Sequence, residues 1–349
     1  GAVERDIKET RKNRYALSFA EDAAKEYEFS KEVFNPCGKI NAAASSSGEK
    51  HNLEYMDHLK DMGEDSTWLD EEDMKRITGS NYYLSGLLTP KTITIQSAAY
   101  IRKFAEGLSR NINIHENSPV VSLERTGGVW KATTPKGSVT SPKVILSVNG
   151  HLQSFGFLNN RLMHIFLYAS MTRELNESEV RKLGGEPSWG AAPANPFGSS
   201  VRKIFGTGGH RILVRNKFQF SSSLEASEHD VRKTVRGHDS SFKRRFPMLE
   251  DVEMEFRWGG RLCLSRNGVP VFGEIEKGLF TACCQNGLGA SKGTLAGILA
   301  AEHACGYENP FIEDHLNEAL PSRLPPEPIA TIGATVYLNW QEWRAGMEK

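Results

Sequence analysis

Glycines, an asparagine and a glutamine cluster where a helix begins, in the stretch GLFTACCQNGLGASKGTLAGILAAEHA, residues 278–304. The pattern predicts a buried strand over Leu279–Cys284, a turn over Asn286–Gly289 and a helix from about Ala290 to Ala304. Such a unit points free N–H groups and partial positive charge at whatever lies beyond the strand. Three readings stay open from the residues alone. The first is a dinucleotide pyrophosphate site, but Gly287, Gly289 and Gly293 place the third glycine one position late. Glu308 falls near the distance of a ribose-binding acid, yet it precedes Asn-Pro instead of ending a strand. The second is a strand–helix packing turn. The third is a helix end aimed at the carbonyl edge of a flavin ring, where charge forms on reduction.

Other reactive residue types make no comparable arrangement. The chain shows no GxSxG and no Ser/His/Asp or Cys/His spacing suited to a nucleophile. His151, His164 and His210 lack metal-ligand spacing, and His164 on an apolar strand reads as a core histidine. The five cysteines, Cys37, Cys263, Cys283, Cys284 and Cys305, contain no CxxC. They read as buried free thiols of a cytoplasmic protein, with no metal site. Arg232, Lys233, Arg236, Lys243, Arg244 and Arg245 make a basic helix that reads as a solvated face.

Composition sets the bounds. The 349 residues suffice for two domains, with 39% hydrophobic and 25% charged residues. Lys plus Arg and Asp plus Glu both number 43, so no global charge favours nucleic acid or an anionic membrane. No apolar run is long enough to span a bilayer, and residues 1–15 carry no apolar signal core.

The elements that must position the glycine turn follow from periodicity. Helices are expected over 3–33, 50–63, 70–78 and Ser97–Arg110, with Ala98, Ile101, Phe104, Ala105 and Leu108 on one face of the last. Strands are expected over Ile112–His115, Val120–Arg125, Val129–Thr133 and Val144–Val148, the last buried on both faces. The middle mixes strands (His164–Thr172, Arg211–Phe220, Val252–Trp258) with helices near 176–184 and 226–245. A Pro-rich segment and a short tail with Trp340 and Trp343 close the chain.

Four motifs in order then carry a resemblance: YIRKFAEGL, INIHENSPVVSLER, VWKATTPKGSVTSPKVILSVNG and WGGRLCLSRNGVPVFGEIEKGLFTACCQNGLGASKGTLAG. The chain resembles the FAD-dependent D-amino-acid oxidase and glycine oxidase family, in its branch similar to γ-glutamylputrescine oxidoreductase. The resemblance implies an α/β fold with a discontinuous, Rossmann-like FAD-binding domain around an α+β, antiparallel-sheet substrate domain. The FAD domain is expected over 1–34, 98–152 and 268–306, the substrate domain over 35–97 and 153–267, and a C-terminal tail over 307–349. Residues 1–80 contain no GxGxxG. The nucleotide-binding unit is therefore expected to be missing at the N-terminus, and FAD binding by this chain stays open. Exposed sheet edges, with poor stability or oligomerisation, would follow.

Residue by residue, Val120 resembles the strand residue that meets adenine. Asn149 and Gly150 resemble the strand end beside the cofactor. Gln285, Asn286, Gly287, Leu288, Gly289 and Ser291 resemble the turn on the flavin pyrimidine edge. Arg261 stands one position from the family's carboxylate-binding arginine, where this chain has Leu262, so an amine substrate is favoured over a plain α-amino acid. His210, Arg211 and Trp258 are expected to border the substrate cavity, with Arg215 on the same strand as His210 and Arg211. The implied activity is oxidation of an amine or amino acid by hydride transfer to flavin, followed by imine hydrolysis, with oxygen or another acceptor reoxidising the flavin. No catalytic side chain is assigned. The alternative is a non-catalytic small-molecule-binding protein that has lost FAD. The partner expected is a small-molecule amine, not nucleic acid.

Overall fold

The computed structural model describes residues 1–221 and 224–349. In chain order its elements are α1 (Ala2–Glu26), β1 (Phe34–Asn35), β2 (Lys39–Ala43), α2 (Ser46–Asp61), β3 (Thr67–Leu69), α3 (Glu71–Thr78), β4 (Ser85–Thr89), β5 (Thr94–Ile95) and α4 (Ser97–Leu108). There follow β6 (Ser122–Thr126), β7 (Val129–Thr134), β8 (Gly137–Ser141), β9 (Val144–Leu146), β10 (Leu162–Thr172), α5 (Glu177–Leu183), β11 (Trp189–Pro193), β12 (Ser200–Gly206) and β13 (Gly209–Phe220). The last are α6 (Glu228–Arg245), β14 (Met254–Ser265), β15 (Val271–Glu276), β16 (Leu279–Cys283), α7 (Gly289–Cys305), α8 (Pro310–Leu316) and α9 (Ile329–Arg344).

Mixed α/β architecture is what the sequence predicts. An eight-stranded sheet has the order β14-β10-β13-β12-β11-β2-β4-β3 and is antiparallel except where β11 pairs with β2. A three-stranded sheet, β15-β16-β9, combines a hairpin with a parallel β16–β9 pair. A meander, β6-β7-β8, and the two-residue ladder β1-β5 complete the strands. The long strands alternate between faces apart from register shifts at Tyr168/Ala169 and Met171/Thr172. On β13, Ile212 and Val214 enter the core with Val201 of β12, while Arg211, Leu213 and Arg215 point the other way. Helix α6 covers the first face, where His238 bonds Ser170 of β10. Helix α9 packs Leu338 against Ile165, Leu167 and Phe220 on the opposite face.

Local signals explain the helix starts. Asp70 caps α3 by accepting from Asp73 N at 2.9 Å, and Asn176 caps α5 with Glu179 reaching back. Arg173 holds Glu179 in a two-pronged pair at 2.7 and 2.9 Å, which pulls its carboxyl down to about 2.

Several expectations need correction. Helix α1 ends at Glu26 instead of running to residue 33, and its buried stripe is Ala16, Ala20, Ala23 and Ala24. Small residues let it lie close on α7, so Tyr15 and Phe19 turn outward. On α4, Tyr100 and Gly107 are buried while Ala98 and Ile101 face out, because Tyr100 joins an aromatic cluster with Phe29 and Phe34. Residues 112–115 form no strand. Strand β9 is not buried on both faces: it lies at a sheet edge, and Ile145 is 39% exposed. Cys37 and Cys305 are exposed, although Cys263, Cys283 and Cys284 are buried. Arg245 is not part of a solvated helix face; it is 1% exposed. Among the described residues no helix is long and apolar enough to cross a membrane.

Candidate functional site

The parallel pair β9–β16 brings two chain reversals to one edge, because both strands end in the same direction. Asn149 follows β9 and takes φ 50°, which its short polar side chain tolerates. Its Oδ1 accepts from Cys284 N at 3.1 Å. Asn286 fastens the second reversal. Its Oδ1 accepts from Ser265 N at 2.9 Å, and its Nδ2 donates to Gly268 O and Cys284 O. The two asparagines thus tie the turn to the ends of β9 and β14. Cys284 (φ 59°), Asn286 (φ 49°) and Gly287 (φ 84°) are all left-handed, a run that costs free energy at the cysteine.

Beyond this turn α7 starts at Gly289. Leu288 is its N-cap and supplies no side-chain cap, and the first amide bonded back is that of Lys292. The N–H groups of Gly289, Ala290 and Ser291 therefore have no protein acceptor among the described residues. They lie at the positive end of a 17-residue helix. Leu288 is exposed, and a side chain at Gly287 would meet Leu262 Cδ1 at 3.6 Å and Leu264 Cδ2 at 3.9 Å. The turn thus fronts an apolar strip of β14 on the face that α9 also touches.

The other end of the site surrounds Val120. It is exposed and lines a cavity of about 590 Å³ with Val121, Val148, His151, Ser154 and Phe155. Gly150 sits behind this cavity. A Cβ there would lie 2.6 Å from His164 Cε1, so the buried imidazole occupies the space beside the backbone. Gln153 fixes that ring: its Oε1 accepts from Asn160 N, which leaves Nε2 to donate to His164 Nε2 at 3.2 Å. The network places the histidine proton on Nδ1, which has no partner among the described residues. Gly150→Ala is expected to cost about 1–3 kcal/mol by overpacking. Urea unfolding measures it, and an unchanged midpoint would show that the ring swings aside.

The remaining expected residues divide by face. Trp258 lies on the Leu262 side and is 40% exposed. Arg261 points to the opposite side, where its guanidinium donates to Leu224 O at 2.9 Å. His210 stacks on Phe205 at 4.2 Å near the β12–β13 turn, and burial pushes its imidazole below the usual value. Arg211 is committed to Gly208 O, Thr172 O and the Glu255 carboxylate. Neither side chain is brought to the Gln285–Gly289 turn. The sequence reading missed Leu264 and Gln153; strict alternation from Leu262 along β14 was the available signal for the first.

Among the described residues no accessible nucleophile is poised here: the hydrogen bond with Cys263 lowers the Cys284 thiol, but that side chain is fully buried. Burial pushes the Cys283 thiol up to about 11, and the hydrogen bond with Cys284 together with burial raises Cys263 further. Among the described residues no group of His, Cys, Asp and Glu is arranged to hold a metal. What the edge offers is positive helix-end charge, backbone donors and apolar walls. That donor set fits a planar anionic ring at the turn and an adenine-sized group beside Val120.

The model of a protein family described as FAD dependent oxidoreductase (DAO) matches residues 4–303. The probable oxidoreductase OrdL of Haemophilus influenzae is 24% identical over 241 residues, covering 68% of this chain and 53% of that protein. The γ-glutamylputrescine oxidoreductase of Escherichia coli is 24% identical over 243 residues, covering 67% of this chain and 53% of that protein. The chain spans about half the length of these curated relatives. Among solved structures, glycine oxidase from Bacillus cereus superposes with TM-score 0.71 at 16% identity, over 91% of this chain and 85% of the other. L-proline dehydrogenase from P. horikoshii superposes with TM-score 0.67 at 15% identity, over 87% and 81% respectively. These structures share the fold.

Proposed function

The chain belongs to the family of FAD dependent oxidoreductases, and from that premise we propose that it holds flavin and substrate in the oxidation of an amine or amino acid, a primary or secondary amine being favoured. The observation that carries this reading is the uncapped start of α7 behind a turn that two asparagines hold rigid. FAD, when bound, would accept hydride from the carbon next to nitrogen, leaving an imine that water hydrolyses, and would pass the electrons to oxygen or another acceptor.

The chain's own residues supply placement. The amides of Gly289, Ala290 and Ser291 would offer positive charge to an anionic ring edge. Gln285, Asn286, Gly287 and Leu288 shape the floor, with Asn149 and Gly150 beside them. Val120 would border the adenine. Leu262 and Leu264 give an apolar wall that excludes water and presents no guanidinium to a carboxylate on the reacting carbon. The wall favours an amine over a plain α-amino acid, as does the name of the Escherichia coli relative. The cofactor unit would comprise 1–34, 98–152 and 268–306, and the substrate unit 35–97 and 153–267. The β1–β5 ladder supports this division, since it pairs the chain beside two of the four crossings between them.

The protein expressed from its native gene is expected to bind added FAD, turning yellow and melting at a higher temperature. Gly287→Val is expected to abolish that binding while leaving the fold cooperative, because φ 84° excludes a branched side chain. Absence of FAD binding by the unmodified protein overturns the reading.

A further inference from the structure

We propose that Arg202 and Arg215 form a carboxylate-binding site on the face of the eight-stranded sheet that α9 also packs against, which holds the far end of an amine substrate that carries an acid group. The register places them. Ser200 pairs with Arg215, and Arg202 follows two positions later on β12, so all three share one face. Across β10, Ala169 pairs with both Arg215 and Trp258, so an exposed indole stands two strands from the guanidinium with only a methyl group between them. On the other side Arg202 pairs with Gly190, and its Nε passes 3.9 Å from where a Cβ would be. Lys39 precedes Ile40, whose side chain is in the core, and so lies on the same face.

These cations lack acids. Arg215 donates to Ser200 Oγ at 2.8 Å, and Arg202 to Ile95 O at 3.2 Å. Among the described residues neither forms an ion pair with a carboxylate. Both side chains still meet solvent, yet burial pushes both guanidiniums below their usual value, and the Arg202 charge lowers Arg215 further. Burial also lowers Lys39. Like charges gathered on one sheet face without acids repel one another and are complementary to an anion. A carboxylate, planar and forked, matches the two guanidiniums.

Trp258 lies four residues along β14 from Leu262, about 13 Å of strand. The acid group would therefore sit well away from the apolar wall at the Gln285–Gly289 turn. This inference rests on the amine-oxidase reading for the group presented at that turn, but the anion site itself is testable without it.

Calorimetry on the protein without added FAD would compare ω-aminooctanoate with octylamine. The amino acid is expected to bind more tightly, and Arg202→Gln and Arg215→Gln are each expected to weaken it by roughly tenfold while leaving octylamine unchanged. Arg215→Lys is expected to retain part of the preference, and matched melting curves show that the variants fold. Equal affinity for the two ligands, or a preference unmoved by both substitutions, overturns the proposal. If the preference holds and depends on the arginines while FAD does not bind, the anion site stands and the flavin reading fails.

Discussion

Replacing Arg245 with alanine is expected to destabilise the protein by about 1–3 kcal/mol, the scale seen when buried hydrogen-bonding groups lose a partner. Arg245 ends α6 and is almost fully buried. Its Nη1 donates to Ser241 Oγ at 2.6 Å and its Nη2 to Glu348 O at 2.9 Å, while its Cζ lies 4.4 Å from the centre of the Tyr82 ring. The Glu348 carboxylate is held in turn by Ala44 N at 2.9 Å and Ser45 Oγ at 2.7 Å. Gly198 leaves the space: a Cβ there would lie 2.6 Å from Glu348 O. Removing the guanidinium takes one buried donor from Ser241 Oγ and one from Glu348 O, which keeps only Ser199 N at 2.7 Å. The consequence reaches the candidate site, because Glu348 fastens the end of α9. Further up α9, Glu342 accepts from Phe218 N at 2.9 Å and from Lys217 Nζ at 2.8 Å. The Phe218 amide is free to make that bond next to the register shift where β13 departs from β10. Urea unfolding should show the loss, and limited proteolysis should cut α9 sooner in Arg245→Ala than in Arg245→Lys. A loss below about 1 kcal/mol would mean that Ala44, Ser45 and Ser199 hold the segment alone.

Arg245 also shows what a sequence conceals. Next to Lys243 and Arg244 it looks like one more solvated cation; only the tertiary arrangement of Tyr82, Ser241 and Glu348 makes it internal. The glycine turn was legible because its parts are local: an apolar run, Asn-Gly, and a helix with the 3.6-residue period. Helices α3 and α5 and strands β10 and β13 were legible from local pattern in the same way. Strands β2, β3, β4, β11 and β12 span only three to seven residues each and have no period to read. Helix α9 was hidden for the opposite reason. Ile332, Val336, Trp340 and Trp343 face outward, so its pattern does not mark which side packs. Leu262 and Arg261 differ by one position and face opposite sides, a choice that depends on sheet register. Arg202 carries no motif at all. Its meaning comes from a partner on the next strand, and register is a property of the fold.

Stability is expected to fall as pH drops from about 6.5 toward 4, at up to about 1.4 kcal/mol per pH unit for each of two histidines. His238 is fully buried, and burial followed by the nearby Arg257 charge holds its imidazole down to about 4. The geometry agrees. Ser170 Oγ accepts from Arg257 at 3.1 Å, so its own proton goes to His238 Nδ1 at 2.6 Å, an interaction only the neutral ring can make. His164 is held at about 4 by burial, with the Arg261 and His151 charges adding to the effect. Both side chains titrate near 6.5 in the unfolded chain. Below that pH the unfolded state takes up protons that the folded state refuses, so the stability present above pH 6.5 is lost progressively until the folded values are reached. The Arg173–Glu179 pair adds its own loss only at lower pH, as Glu179 protonates toward its folded value of about 2. Urea midpoints measured from about pH 7 to pH 5 should therefore decline, and His238→Asn, whose Oδ1 can replace the ring acceptor, should roughly halve the slope. A midpoint constant over that interval would show that neither imidazole is held neutral by the fold. Because His164 packs on Gly150, the same protonation should loosen the strand end beside the cavity, so acid should weaken FAD binding before the protein unfolds.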